Sequence, residues 1–248
     1  MTTSLRIVVT GAGRGIGRSI CMKLLAQGHK VALCARTGSE LDSIAADHPE
    51  SSLVLVGDLL MDDTPQSIIQ STIQKWGGVD VLILNAGDGL SVSLEKTTDE
   101  MWNHMLDLNL SAPFKLMRSV IPTMKSQGGG NIIVIASKAG LVGQAYVAAY
   151  TAAKHGVVGL VRAAATELDK FGITVNAVCP DFVDTPLTSR SIEVAAERSG
   201  KDIEVVLDAL KNKLNGNRLL TPDEVADAAI LFIGDKNSNG VTSLLEGK

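Results

Sequence analysis

Short runs rich in β-branched residues alternate with longer stretches of helical periodicity along nearly the whole chain. The runs LRIVVT (5–10), KVALCA (30–35), SLVLVG (52–57), DVLILN (80–85), NIIVIA (131–136) and TVNAVC (174–179) predict six strands. Most are continuously apolar, as parallel strands covered on both faces should be. Helical patterns begin between them near Gly15, Ser39, Thr64, Thr98 and Ala145, with a last one near Thr221. Thr221-Pro222-Asp223-Glu224 combines an N-cap threonine, a proline at the first helical position and a glutamate at the third. Such βα alternation predicts one α/β domain over 1–248, a doubly wound, Rossmann-like parallel sheet with helices on both faces. Residues 185–218 break the rhythm with polar, helix-prone sequence and are expected to be an insertion near the substrate.

Composition narrows the class. The chain has 248 residues, 45% hydrophobic and 20% charged, so it can form a core without disulfides or a structural metal. A net charge of -4 supplies no general attraction for nucleic acid or an anionic membrane, and neither partner is expected. Cys21, Cys34 and Cys179 are odd in number and widely spaced, which suits buried thiols in a reducing compartment. His29, His48 and His104 are isolated, His155 is expected to be structural, and no spacing suggests a metal site. The N-terminal MTTSLRIVV has no signal-peptide pattern, and no apolar run reaches membrane-spanning length, so a cytoplasmic location is expected.

Two stretches carry chemistry. The first strand runs into TGAGRGIGRSI (10–20), whose alternating glycines let backbone amides approach a phosphate at a helix N-terminus. The second is QAYVAAYTAAKHG (144–156), with both tyrosines of the chain and a lysine four residues after the second. Residues i and i+4 share a helical face, so Lys154 lies one turn from Tyr150. An unperturbed phenol has a pKa of about 10, and a neighbouring cation is expected to lower it towards the working range. Tyr146 has no cation at that spacing; it is expected to line the substrate side of the pocket or to pack at its rim.

Further motifs stand at matching intervals: Asp58 in GDL, Asn85-Ala86-Gly87, Asn109 in DLNLSAPF, Ser137 in IASKAG, CPDFVDTP (179–186) and EGK (246–248). With T-G-x-x-x-G-x-G and Tyr150-x-x-x-Lys154, they make the chain resemble the short-chain dehydrogenase/reductase family over essentially its full length. The resemblance implies a catalytic set of Asn109, Ser137, Tyr150 and Lys154. In that family the tyrosine moves the proton, the serine hydrogen-bonds the substrate oxygen, and the asparagine holds a water that links the lysine to solvent. Implied cofactor contacts are Thr10, Gly11, Arg14, Gly15, Ile16 and Gly17 in the turn, Asp58 at the adenine, and Asn85, Ala86 and Gly87. Tyr150, Lys154, Pro180, Val183 and Thr185 would complete them around the nicotinamide and its ribose. EGK stands where the family's last strand ends.

The chain departs from the family at Asp181, where glycine is usual, which puts the backbone path and local charge beside the nicotinamide in question. For cofactor choice, NAD-dependent folds usually carry an acid at the end of the second strand, about 20 residues after the glycine turn. Here Ala35 and Arg36 occupy that place, with Arg14 in the turn, and Glu40 is expected to lie too far into the next helix to substitute. NADP(H) is therefore the expected cofactor and NAD(H) the alternative. Flanking segments offer Leu141, Val142, Gln144, Tyr146, Val147, Asp181 and Phe182 as a mainly apolar substrate wall, with Lys138 the only nearby cation. Together these features predict an NADPH-dependent carbonyl reductase acting on a small molecule. An NAD-dependent alcohol dehydrogenase working oxidatively and a catalytically impaired regulator of the same fold are the alternatives. The resemblance also implies a homotetramer or homodimer.

Overall fold

The computed structural model describes residues 4–248; Met1, Thr2 and Thr3, which begin the segment read for a signal sequence, lie outside the described residues. Seven strands form one parallel sheet: β1 Arg6–Thr10, β2 Lys30–Ala35, β3 Ser52–Val56, β4 Val81–Leu84, β5 Gly130–Ile135, β6 Ile173–Pro180 and β7 Thr242–Leu245, in spatial order β3-β2-β1-β4-β5-β6-β7. β1 lies inside the sheet, with Ile7 opposite Val31 of β2 on one side and Val81 of β4 on the other. Strand order reverses there, so the carboxyl ends of β1 and β4 splay apart and leave the crevice in which such sheets bind ligands.

Each face of the sheet has its own apolar core. Helices α1 (Gly15–Ala26), α2 (Gly38–Ala45) and α9 (Pro222–Ile230) cover one, where Ile7, Val9, Ile20, Leu24, Leu33 and Leu41 are fully buried. Helices α3 (Thr64–Trp76), α5 (Ala112–Gln127) and α6 (Ala148–Leu168) cover the other, around Val8, Leu82, Leu116, Ile132 and Val157. The alternation of inward positions along β1, Ile7 and Val9 against Val8, is the period-2 geometry of a strand buried on both sides. At α9 the expected capping box is present: Thr221 Oγ1 accepts from the Glu224 amide and the Glu224 carboxylate accepts from the Thr221 amide.

Two features differ from the sequence pattern. β7 was not among the apolar runs, because TSLL is four residues long and remains partly exposed at the sheet edge. Helix α6 starts at Ala148 rather than Ala145, since Tyr146 sits at φ 66, outside helical space for an L-residue. Residues 185–218, read as helix-prone, contain two α-helices, α7 Pro186–Ser199 and α8 Ile203–Lys211. Among the described residues no helix is long and apolar enough to cross a membrane.

Candidate active site

The glycine turn is fixed by hydrogen bonds between the two splayed strands. Thr10 Oγ1 accepts from the amides of Asn85 and Ala86, both at 3.1 Å, and the Asn85 side-chain amide donates to the Thr10 and Gly11 carbonyls. Gly11 and Gly15 have φ of 66 and 53, which favours glycine. A Cβ at Gly17 would collide with the Gly11 carbonyl, so the turn can close against α1 only with glycine there. A cavity of about 220 Å³ opens above it, lined by Gly11, Arg14, Gly15, Ile16, Arg36, Asp58, Asn85, Ala86, Gly87 and Thr185. Thr10 and Gly17 lie beneath the turn and shape it without lining the cavity. Asp58 Oδ1 accepts from the Leu60 amide, which fixes the carboxylate at the cavity edge.

This cavity adjoins a larger one of about 590 Å³, and Ile16, Asn85, Gly87, Asp88, Thr185 and Leu187 line both. Asn109, Ser137, Tyr150 and Lys154 all face the larger cavity. Close backbone packing brings them together: a Cβ at Gly140 would stand 2.7 Å from the Lys154 carbonyl, so the 3₁₀ turn after Ser137 can lie directly on α6. Asn109 sits in a π-helical turn, Asp107–Ser111, between α4 (Asp99–Leu106) and α5. The widened turn frees the Met105 carbonyl to accept from Asn109 Nδ2 at 3.1 Å, while the same amide donates to the Asp88 carbonyl at 3.0 Å. Asn109 Oδ1 is buried and without a protein hydrogen-bond partner, as an acceptor reserved for a water or ligand would be. A Cβ at Gly87 would stand 2.8 Å from that oxygen and 3.6 Å from Lys154 Nζ, so glycine is needed where these groups converge.

Lys154 is 5% exposed, and burial lowers its pKa to about 8. Its Nζ donates to the Ile135 carbonyl at 3.2 Å and lies 5.6 Å from the centre of the Tyr150 ring. The expected lowering of the Tyr150 pKa is not what the protein alone produces. Desolvation raises it, and the hydrogen bond with Ser137 only partly offsets that. Burial of the ring is the largest cause, and Lys154 Nζ does not hydrogen-bond the phenol in the protein alone.

Asp181 keeps an ordinary backbone, since φ is positive only at Tyr146 and Asn217 among the described non-glycine residues. Its amide donates to the Leu245 carbonyl at 2.9 Å, continuing the β6–β7 pairing. Its carboxylate, 6% exposed, pairs with Lys138 at 2.7 Å, and Lys138 also pairs with Glu246 at 2.7 Å. The one cation expected near the substrate wall is thus neutralised by two acids.

Of the expected wall, Gln144, Val147, Asp181 and Phe182 line the larger cavity, together with Pro180 and Val183. Leu141, Val142 and Tyr146 do not. Leu141 packs against the core, and Val142 is exposed. Tyr146 forms the rim: its carbonyl accepts from the Val92 amide at 2.7 Å, and the Arg198 guanidinium stacks 3.7 Å from its ring centre. Much of the remaining wall comes from the 185–218 segment, through Leu187, Ile192, Ala195, Val206, Leu210 and Leu214, with exposed Lys213 beside them, and Gly89, Leu90 and Ser91 add another side. The sequence marks the 185–218 segment as polar and helix-prone, but not which surface its apolar residues would cover. Free Cys21, Cys34 and Cys179 are buried, and burial raises each thiol, Cys34 to about 12, which keeps them unreactive. Among the described residues no group of three His, Cys, Asp or Glu is placed to hold a metal.

Comparison with known proteins agrees with this geometry. The model of the short chain dehydrogenase family matches residues 6–196. A protein of Streptomyces virginiae, provisionally named as ketoacyl reductase of the monensin polyketide synthase, is 36% identical over 247 residues, covering 98% of this chain and 94% of that protein. D-beta-hydroxybutyrate dehydrogenase of Rhizobium meliloti is 32% identical over 234 residues, covering 92% and 91%. A variant of actinorhodin polyketide ketoreductase solved with NADPH superposes with a TM-score of 0.94 at 31% identity, covering 100% of this chain and 98% of that one. A crevice with a glycine turn on one side and the Ser137–Tyr150–Lys154 group on the other defines a nicotinamide-dependent oxidoreductase acting between C=O and CH–OH. The chain belongs to the short-chain dehydrogenase/reductase family.

Proposed function

We propose that the protein is an NADPH-preferring carbonyl reductase acting on neutral, mainly apolar ketones. The observation that carries this is the placing of Ser137, Tyr150, Lys154 and Asn109 where the glycine-turn cavity meets an apolar one. The cradle fits a dinucleotide: backbone amides at the start of α1 for the phosphates, Asp58 at the far edge, and an unpartnered Asn109 oxygen beside Lys154. A bound nicotinamide supplies hydride to the carbonyl carbon. Tyr150 gives its phenolic proton to the carbonyl oxygen, while the Ser137 hydroxyl hydrogen-bonds that oxygen and holds the carbonyl in place. Lys154, cationic over most of the neutral range at a pKa of about 8, stabilises the phenolate left behind. The Asn109 oxygen is placed to hold a water through which the proton is restored from solvent.

Arg14 and Arg36 at the adenosine end, with Ala35 where an acid would repel a 2′-phosphate, support NADP(H). The solved ketoreductase relative carrying NADPH supports the same choice. Apolar side chains from α7 and α8 and the neutralised Lys138 support an uncharged substrate. A panel of neutral ketones and keto acids of similar size, followed at the nicotinamide absorbance with NADPH and NADH, tests this. Faster turnover of neutral ketones with NADPH is expected; a preference for short keto acids, or for NADH, would overturn the corresponding half of the proposal.

A further inference from the structure

The adenosine end of the cofactor cavity holds an acid that the strand-end rule does not anticipate. Glu40, in the first turn of α2, was expected to lie too far along the chain to matter there. Instead it lines the same cavity as Arg14, Arg36 and Asp58. Its side chain lies against the glycine turn so closely that a Cβ at Gly13 would overlap its carboxylate and stand 2.9 Å from its own Cβ. Glu40 forms no ion pair among the described residues, although two arginines share the cavity with it. Asp58, the other acid present, is tied by its Oδ1 to the Leu60 amide and stands at the end of β3 rather than over the glycine turn. The helix thus returns a carboxylate to the neighbourhood that Ala35 leaves without one.

We propose that Glu40 is a specificity-determining residue that limits the preference for NADP(H) and keeps NAD(H) usable. This rests on reading the cavity as a dinucleotide site. A carboxylate over the turn accepts hydrogen bonds from the hydroxyls of an unphosphorylated adenosine ribose. The same charge repels a 2′-phosphate, which Arg14 and Arg36 attract. Two cations and one acid therefore set the ratio between the cofactors. Glu40 in the first turn of α2 also suits the helix dipole, and a residue serving only that purpose would affect both cofactors equally.

Dissociation constants for NADPH and NADH, and for the fragments 2′,5′-ADP and 5′-AMP, measured by calorimetry on the full chain, test the proposal. Glu40→Gln keeps the shape and removes the charge. It is expected to tighten NADPH and 2′,5′-ADP and to weaken NADH and 5′-AMP. The affinity ratio should move about tenfold in favour of the phosphorylated forms, the scale of two partly screened charge contacts. Glu40→Ala should move it in the same direction, and Arg36→Ala in the opposite one. A ratio within about twofold of wild type in Glu40→Gln and Glu40→Ala, at unchanged melting temperature, would overturn the assignment, twofold being well under what one such contact is worth. A wild-type protein that binds none of the four ligands is a different result, and it would overturn the dinucleotide reading together with Glu40's role.

Discussion

Asp181→Asn isolates the charge by which this chain departs from the glycine usual in its family. The Asp181 carboxylate is 6% exposed and lies 2.7 Å from Lys138, so the substitution keeps the volume and removes half of a largely buried ion pair. Breaking such a pair costs about 3–5 kcal/mol when the partner charge is left uncompensated. Lys138 is not left so. It keeps Glu246 at 2.7 Å and is 28% exposed, so water and the second acid absorb much of the loss. The expected destabilisation is about 1.5–3 kcal/mol, the value of one hydrogen bond to a charged group. Lys138→Met alone should cost more, up to about 3–5 kcal/mol, because it leaves buried Asp181 without a cation; the double variant should cost less than the sum by about 1 kcal/mol. Asp181 and then Glu246 raise the Lys138 pKa above its ordinary value. The pair's contribution is therefore present below the ordinary lysine pKa and is lost as pH rises through the higher folded value. Urea unfolding at pH 7, followed by fluorescence of Trp76 and Trp102, measures each variant. A cost under about 0.3 kcal/mol for Asp181→Asn, or strict additivity in the double variant, would refute the pairing argument.

Three other outcomes follow from the same structure. Lys154→Met should abolish turnover yet stabilise the cofactor-free protein by about 1–3 kcal/mol, because a desolvated cation gives way to an apolar chain. The wild-type protein should gain stability between about pH 8 and the ordinary lysine value near 10.5, where the unfolded chain holds a proton that folded Lys154 has lost; loss of stability across that window in thermal melts, relative to Lys154→Met, would contradict the burial argument. Tyr146→Phe should retain most activity, since the stacking on Arg198 needs only the ring, whereas Tyr146→Ala should raise KM several-fold by loosening α7, at about 0.5–1 kcal/mol for the lost contact; a dead Tyr146→Phe would sink the rim assignment. We also propose a homo-oligomer, most simply a tetramer, supported by exposed Trp102 and Phe114 on α4 and α5 and by the small residues of α6; a monomeric mass in light scattering at micromolar concentration would count against it.

The core strands and the shared helical face of Tyr150 and Lys154 were legible because each is a local pattern. Continuous apolar runs mark strands covered on both faces, and Tyr150 and Lys154 share a face by helical geometry alone. What was not legible depends on distant contacts. Tyr146 has the same four-residue spacing from Tyr150 as Lys154, yet its positive φ, which accompanies the Val92 hydrogen bond and the Arg198 stack, takes it off the helix. Glu40 is separated in sequence from the glycine turn, and only the packing of α2 against the cavity brings it over Gly13. The apolar faces of α7 and α8 follow an ordinary amphipathic pattern, and tertiary structure turns them towards the cavity instead of the core. The direction of the phenol's pKa in the protein alone depends on how deeply the fold buries Tyr150, which helical spacing does not carry.

Comparing Tyr150→Phe with wild type tests the central claim most directly. Single-turnover oxidation of NADPH with a neutral aromatic ketone should be readily seen in wild type. In Tyr150→Phe it should fall by at least about a hundredfold, the scale of a lost general acid, while the dissociation constant for NADPH changes less than about threefold, because the phenolic proton is needed only in the transition state. Retained turnover in Tyr150→Phe, or loss of NADPH binding in step with activity, would contradict the assignment of Tyr150 as the proton donor.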